Sequence, residues 1–274
     1  MKLAMCHYSL HRRWNEEKWD IDRLTDEVAA LGIEGIDYHA GLLGTQEGAV
    51  DQIGAALERT GLVLSGFSLS TNFNLPDAAE FEAHIENTLS WMRLAEELQA
   101  PACRIFGGGA DRSDPKAVEE GLERVLRALN TLAPEAERMG LVLALENHGG
   151  LPCTGAEQVQ VIEAVDSPAV KATVDVGNYM QGGQTGVEGT TAAARHAAYV
   201  HVKDNRALDA PDDRGREYEA CTIGDGVVDI PECLRILKAA GFDDFVALEY
   251  EGPEAEQTGV PRSVEYMKKV VAAL

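Results

Sequence analysis

The chain has 274 residues and a net charge of −22, with 46 acidic against 24 basic residues and 45% apolar content. The length suits one (β/α)8 barrel of roughly 250 residues and the apolar content suits a large core; the surplus negative charge excludes a polyanion-binding surface, so nucleic acid is not an expected partner. No eighteen-residue apolar run is present, Met1–Leu10 lacks a secretory core, and the five scattered cysteines form no CxxC pair, so the expectation is a soluble cytoplasmic protein with reduced thiols and no membrane partner.

Eight short apolar runs follow one another along the chain. They are Leu3–His7, Gly35–Tyr38, Leu62–Phe67, Ala102–Phe106, Leu141–Glu146, Ala172–Asp175, Ala198–His201 and Phe245–Glu249. Amphipathic stretches separate them: Ile21–Leu31, Val50–Thr60, Phe81–Ala100, Ala117–Met139 and Ile230–Ala240. Gly32, Gly61, Gly140 and Gly241 each follow a helical pattern, as helix C-terminal glycines do. Strands alternating with helices imply parallel pairing. Eight such units with no strand left over predict a closed (β/α)8 TIM barrel, α/β in class, as a single domain over residues 1–274. The last unit is long enough to hold an extra loop, Ala207–Asp225.

In such a barrel the chemistry lies at the C-terminal ends of the strands. Leu141-Val-Leu-Ala-Leu-Glu146 is five apolar residues and then a carboxylate, and Phe245-Val-Ala-Leu-Glu249 repeats the pattern. Thr173-Val-Asp175 and Tyr199-Val-His201 do the same on the strands between. Alternation along a strand puts Ala144 beneath Glu146 and Ala247 beneath Glu249 if the carboxylates face inward. Three carboxylates and an imidazole converge at low cost only around a cation. Glu146, Asp175, His201 and Glu249 are therefore the expected ligands of one divalent metal ion. Mn²⁺ fits this oxygen-rich set best, with Mg²⁺, Co²⁺ and Zn²⁺ as alternatives.

At this point the sequence resembles the sugar phosphate isomerase/epimerase group of xylose-isomerase-like barrels. The superfamily also holds tagatose/psicose 3-epimerases, inosose dehydratases and endonuclease IV. The resemblance spans the chain and rests on Leu145-Glu-Asn-His-Gly149, Val174-Asp-Val-Gly-Asn178, His201-Val-Lys-Asp204, Gly224-Asp-Gly-Val-Val-Asp229 and Leu248-Glu-Tyr-Glu-Gly252. It implies the same four metal ligands, a small-molecule carbohydrate substrate and a homo-oligomer. It also implies that Glu146 and Glu249 are the catalytic pair, one removing the proton beside a carbonyl and the other returning it from the opposite face. A metal bound to the carbonyl and a neighbouring hydroxyl would stabilise the enediolate, and both carboxylates are expected to be poised near neutrality.

His7, His148, Asn178, Lys203 and Arg206 are candidate substrate contacts at the rim, and Trp14 and Phe67 a candidate apolar wall. Arg104 is expected in an ion pair inside the barrel, outside the site. Gly107-Gly-Gly109 lacks a P-loop ending and reads as a flexible rim loop. Asn178 stands where many members have histidine, and Asn147–Ala156 lacks the further glutamate of the ketose 3-epimerases. A modified or oxidised sugar is thus favoured over a plain ketose. A dehydratase, eliminating a β-hydroxyl after the same proton abstraction, is the nearest rival; a metal-binding partner subunit of a sugar-processing complex is the other. Endonuclease chemistry is excluded by the acidity and by only 7 histidines.

Overall fold

The apolar runs pair edge to edge into a closed parallel barrel in the computed structural model, which describes residues 1–212 and 215–274. Its strands are β1 Lys2–Cys6, β2 Gly35–His39, β3 Val63–Ser68, β4 Cys103–Ile105, β5 Leu143–Glu146, β6 Val170–Asp175, β7 Ala197–Val202 and β8 Phe245–Leu248. Each ends within one residue of the end expected from the sequence. Chain neighbours are ring neighbours throughout, and the seam joins β1 to β8 in register from Lys2↔Phe245 to Met5↔Leu248. The chain is a single-domain (β/α)8 TIM barrel.

The expected helices form at Ile21–Ala30, Ala49–Thr60, Ala78–Glu97, Pro115–Met139 and Ile230–Ala239. Gly61 and Gly140 cap their helices at φ 74° and 69°, left-handed conformations that glycine adopts without cost. Helices Gly155–Val165 and Gly186–Ala193 escape a periodicity reading because small and apolar residues run round their circumference. Both nevertheless begin with a capping box readable in the sequence, Thr154/Glu157 and Thr185/Glu188. No helix among the described residues is long and apolar enough to cross a membrane. All five cysteines are free and buried.

The expected extra loop carries an antiparallel ribbon, Asn205–Ala207 against Tyr218–Ala220. Its root is the Asp204 carboxylate. Oδ1 accepts from the Asn205 and Val228 amides at 2.9 and 3.2 Å, and Oδ2 from those of Gly224 and Gly226 at 2.8 and 2.9 Å. A Cβ on Gly226 would lie 2.1 Å from Asp204 Oδ1, so only glycine fits that turn.

Ala4, Ala102, Ala144, Ala247, Tyr199 and Phe245 pack into the floor of the lumen. The expected alanines do lie beneath the glutamates, and Tyr199 fills the space they leave. Gly66 on β3 gives that ring its room, since a Cβ there would meet Tyr199 Cζ at 2.8 Å. Beside the site, buried Gln158 clamps β5 to β6. Its Nε2 donates to Leu145 O at 2.7 Å and Thr173 O at 2.9 Å, and its Oε1 accepts from the Tyr179 hydroxyl at 2.7 Å. A group stranded without its partner in a core costs about 1–3 kcal/mol. Gln158→Leu is therefore expected to lower stability by about 3 kcal/mol in urea unfolding. A loss below about 1 kcal/mol would show the clamp to be idle.

Candidate active site

Glu146 ends β5, Asp175 ends β6, His201 lies one residue inside the end of β7, and Glu249 follows β8. Alternation turns all four into the lumen above the alanine floor. They are fully or almost fully buried, and one donor atom from each falls within 4.8 Å of the others. His201 Nδ1 lies 3.0 Å from both Glu146 Oε1 and Glu249 Oε2. Asp175 is aimed by its own backbone: Oδ1 accepts the Gly177 and Asn178 amides at 2.9 and 3.0 Å. Asn147 fixes the strand ends by donating to Asp175 O at 2.9 Å and accepting from its amide at 3.0 Å.

This donor set fits a divalent cation. Asp175 Oδ2, Glu146 Oε2 and Glu249 Oε2 are buried oxygens that make no directed hydrogen bond and have only the charged groups of Lys203, Arg104 and His201 at 3.0–3.6 Å. Buried acceptors in that state are costly unless a cation serves them. Three oxygens and one imidazole nitrogen around one small volume are the ligands such an ion takes.

The chain's own cations already press on these groups. Arg104 Nε stands 3.0 Å from Glu146 Oε2, and its Nη2 3.5 Å from Glu249 Oε1. Lys203 Nζ lies 3.2 Å from Glu249, 3.6 Å from Asp175 and 2.7 Å from Glu251. Burial alone would raise every carboxyl here, but Arg104 and His201 outweigh it and hold Glu146 at about 2. Lys203 and His201 likewise hold Glu249 well below its usual range. Burial wins at Asp175, which rises to about 7 despite Lys203, helped by the charges of Glu146 and Glu249. Burial opposes a charged His201, yet Glu249, Asp37 and Glu146 push it well above the ordinary histidine range. Glu146 and Glu249 therefore differ from the near-neutral expectation: their cationic neighbours keep both ionised.

The other rim residues divide. Lys203 joins the cluster. Asn178 is buried beside it, its Nδ2 without a hydrogen-bond partner. His148 stacks on Phe106 at 4.5 Å between centroids, and burial lowers its pKa. His7 is buried edge-on to Trp14 at 4.4 Å, both ring nitrogens without a hydrogen-bond partner. Burial, with His39 and His11 adding to it, drives its pKa well down. Arg206 is not brought to the cluster: on the ribbon it is exposed and pairs with Glu219 at 2.6 Å. Phe67 faces the helix layer against Trp91 at 6.1 Å and forms no wall of the mouth. The triglycine rim is tied rather than loose, with Gly107 N donating to Leu151 O at 2.8 Å and Leu151 N to Gly108 O at 2.9 Å.

Two residues matter more than the sequence reading allowed. Arg104 forms the expected ion pair, but with the two glutamates of the site itself. Asp37 was not singled out at all; its Oδ2 lies 3.2 Å from His201 Nε2. Its signal was a carboxylate in the middle of the apolar run Gly35–Tyr38, where burial demands a partner.

The model of the xylose isomerase-like TIM barrel family matches residues 25–270. The chain is similar to an uncharacterized protein of Methanocaldococcus jannaschii, 27% identical over 138 residues, 48% of this chain and 44% of that one. The match thus spans less than half of that relative's length. Its fold is similar to that of 3-keto-D-glucoside 4-epimerase from E. coli, with a TM-score of 0.77, 16% identity, and coverage of 98% of this chain and 99% of that one. The probable 3-DHS dehydratase AsbF of Bacillus anthracis gives 0.75 at 18% identity, covering 98% of this chain and 99% of that one. A xylose isomerase-like TIM barrel protein from Mycobacterium smegmatis in complex with magnesium gives 0.75 at 17%, covering 99% of this chain and 97% of that one. At these identities the likeness is one of fold.

Proposed function

The chain belongs to the xylose isomerase-like TIM barrel family, and on that premise we propose that it is a divalent-metal-dependent isomerase or epimerase. Its substrate would be a sugar, modified sugar or polyol ketone, and its reaction the transfer of a proton beside the carbonyl. The observation that carries this reading is the buried convergence of Glu146, Asp175, His201 and Glu249 within 4.8 Å at the mouth. One ion, Mn²⁺ first and Mg²⁺, Co²⁺ or Zn²⁺ after it, would be held by these four and would draw charge from the oxygens of a bound ketose, easing ionisation of the C–H between them.

The chain's residues would do the rest. Glu146 and Glu249 come from strands on different sides of the ring and flank His201 at equal distance. Arg104 and His201 hold Glu146 ionised, and Lys203 and His201 hold Glu249 ionised, so each enters the reaction as a carboxylate. One would take the proton from one face of the carbon, and the other, once it has itself been protonated from Lys203 or solvent, would return a proton to the opposite face. Lys203 and Asn178 stand beside them to bind or orient substrate oxygens. Ketoses incubated with the protein and Mn²⁺ in D₂O are expected to gain deuterium beside the carbonyl without enone absorbance. A second reading, the dehydratase, is favoured by Lys203, an ammonium 3.2 Å from Glu249 that can protonate a departing hydroxyl. Enone absorbance would decide for it; neither signal on any ketose would leave the partner-subunit reading.

Proton competition follows from the same groups. Asp175, raised to about 7, and His201, raised well above the ordinary histidine range, carry protons near neutrality that a metal must displace. The affinity for Mn²⁺ is therefore expected to weaken by at least tenfold per pH unit as pH falls from about 8 to 6. Calorimetry in buffers of different ionisation enthalpy reads the protons released; an affinity flat across that window would refute the assignment of both ligands.

A further inference from the structure

We propose that Asp37 is a positioning residue that, once a bound cation has displaced the proton of Nδ1, holds His201 in one tautomer, with the proton on Nε2 and the Nδ1 lone pair given to the cluster of Glu146, Asp175 and Glu249. The inference rests on the reading of those four residues as metal ligands and adds a function for a fifth.

The imidazole lies across the lumen with both nitrogens engaged. Nδ1 stands 3.0 Å from a glutamate on either side, while Nε2 points the other way to Asp37 Oδ2 at 3.2 Å. A neutral imidazole carries one proton, and the nitrogen that donates is not the nitrogen that ligates. A carboxylate at Nε2 selects the form with Nδ1 free and makes that nitrogen more basic. Asp37 is itself anchored: the Ser68 hydroxyl on neighbouring β3 donates to the same Oδ2 at 2.7 Å. Tyr199 meets the imidazole edge-on at 5.2 Å, so the ring does not flip freely. Ser68, Asp37 and His201 thus form a buried relay from β3 through β2 to β7, entirely beneath the mouth.

A rival use of the same atoms exists. Cys6, Asp37 and His201 also offer donor atoms within 4.8 Å of one another. A metal bound by that trio through Nε2, the nitrogen beside Asp37, would need the opposite tautomer. The two uses exclude each other, and the position of one proton separates them.

The test uses the full chain. Mn²⁺ is titrated by calorimetry into the wild type and Asp37→Asn, and the wild type labelled with ¹⁵N-histidine and loaded with diamagnetic Zn²⁺ is examined by NMR. Asp37→Asn is expected to bind Mn²⁺ 10–100-fold more weakly, the loss typical when such a supporting partner is removed. Ser68→Ala is expected to weaken binding by a few-fold. The NMR spectrum is expected to show a protonated Nε2 and a metal-bound Nδ1. Unchanged affinity in Asp37→Asn, or a metal-bound Nε2, overturns the proposal while leaving the four-ligand reading intact. A wild type that takes up neither ion overturns both. Should Asp37→Asn fail to fold, the wild-type spectrum alone decides.

Discussion

Glu146→Gln and Glu249→Gln are each expected to slow proton exchange beside the ketose carbonyl by about 10³-fold or more. A positioned general acid or base is worth about 10²–10⁴-fold, and here each side chain would also surrender a ligand charge. Glutamine preserves volume and one oxygen, so the loss reads charge and proton chemistry rather than a cavity. The physical background makes the result separable from unfolding. Arg104 is buried between the two glutamates at 3.0 and 3.5 Å, and either substitution removes part of its counter-charge. Breaking one side of a buried pair costs about 3–5 kcal/mol. Thermal unfolding and Mn²⁺ content, measured on the same samples, show whether a dead variant is still folded and loaded. Full activity in both variants would end the acid–base assignment.

Chelation is the second large effect. Dialysis against EDTA is expected to abolish exchange, and Mn²⁺ to restore it. Stability should move with it: ligand at 100 times its Kd stabilises by about 2.7 kcal/mol, or roughly 5 °C in Tm for a chain of this size. The ion would relieve three crowded carboxylates, one of which burial has already driven to about 7. A chelated protein with unaltered Tm and unaltered exchange would mean that Arg104, Lys203 and His201 neutralise the cluster by themselves.

Much of this was legible in the residues, for reasons that differ from one element to the next. Strand ends were readable because each apolar run stops at a charged or aromatic residue where the lumen opens. The four acidic and imidazole groups were readable because they recur at the same point of successive runs. The motif residues around them proved to be the scaffolding that aims them: Gly177 and Asn178 lend their amides to Asp175, and Asp204 gathers the turn written as Gly224-Asp-Gly-Val-Val-Asp229. Asp37 and Arg104 were harder, because their roles depend on what lies across the barrel, and no spacing along the chain encodes that distance. Arg206 differs in the other direction. Its place shortly after His201 suggested the rim, but the ribbon carries it outward to Glu219.

The division of labour around the ring has a kinetic consequence. The candidate ligands all come from β5 onward, while Asp37 and Arg104, which steady them, come from β2 and β4. Arg104 meets Glu146 as soon as β4 pairs with β5, but Asp37 meets His201, and Arg104 meets Glu249, only once β1 has zipped onto β8, a pairing between the two ends of the fold that carries the largest loop-closure entropy. Until then a half-formed ring leaves Glu249 with no opposing guanidinium. Uptake of an ion during refolding would accordingly clock the closing of the circle, not the appearance of its strands.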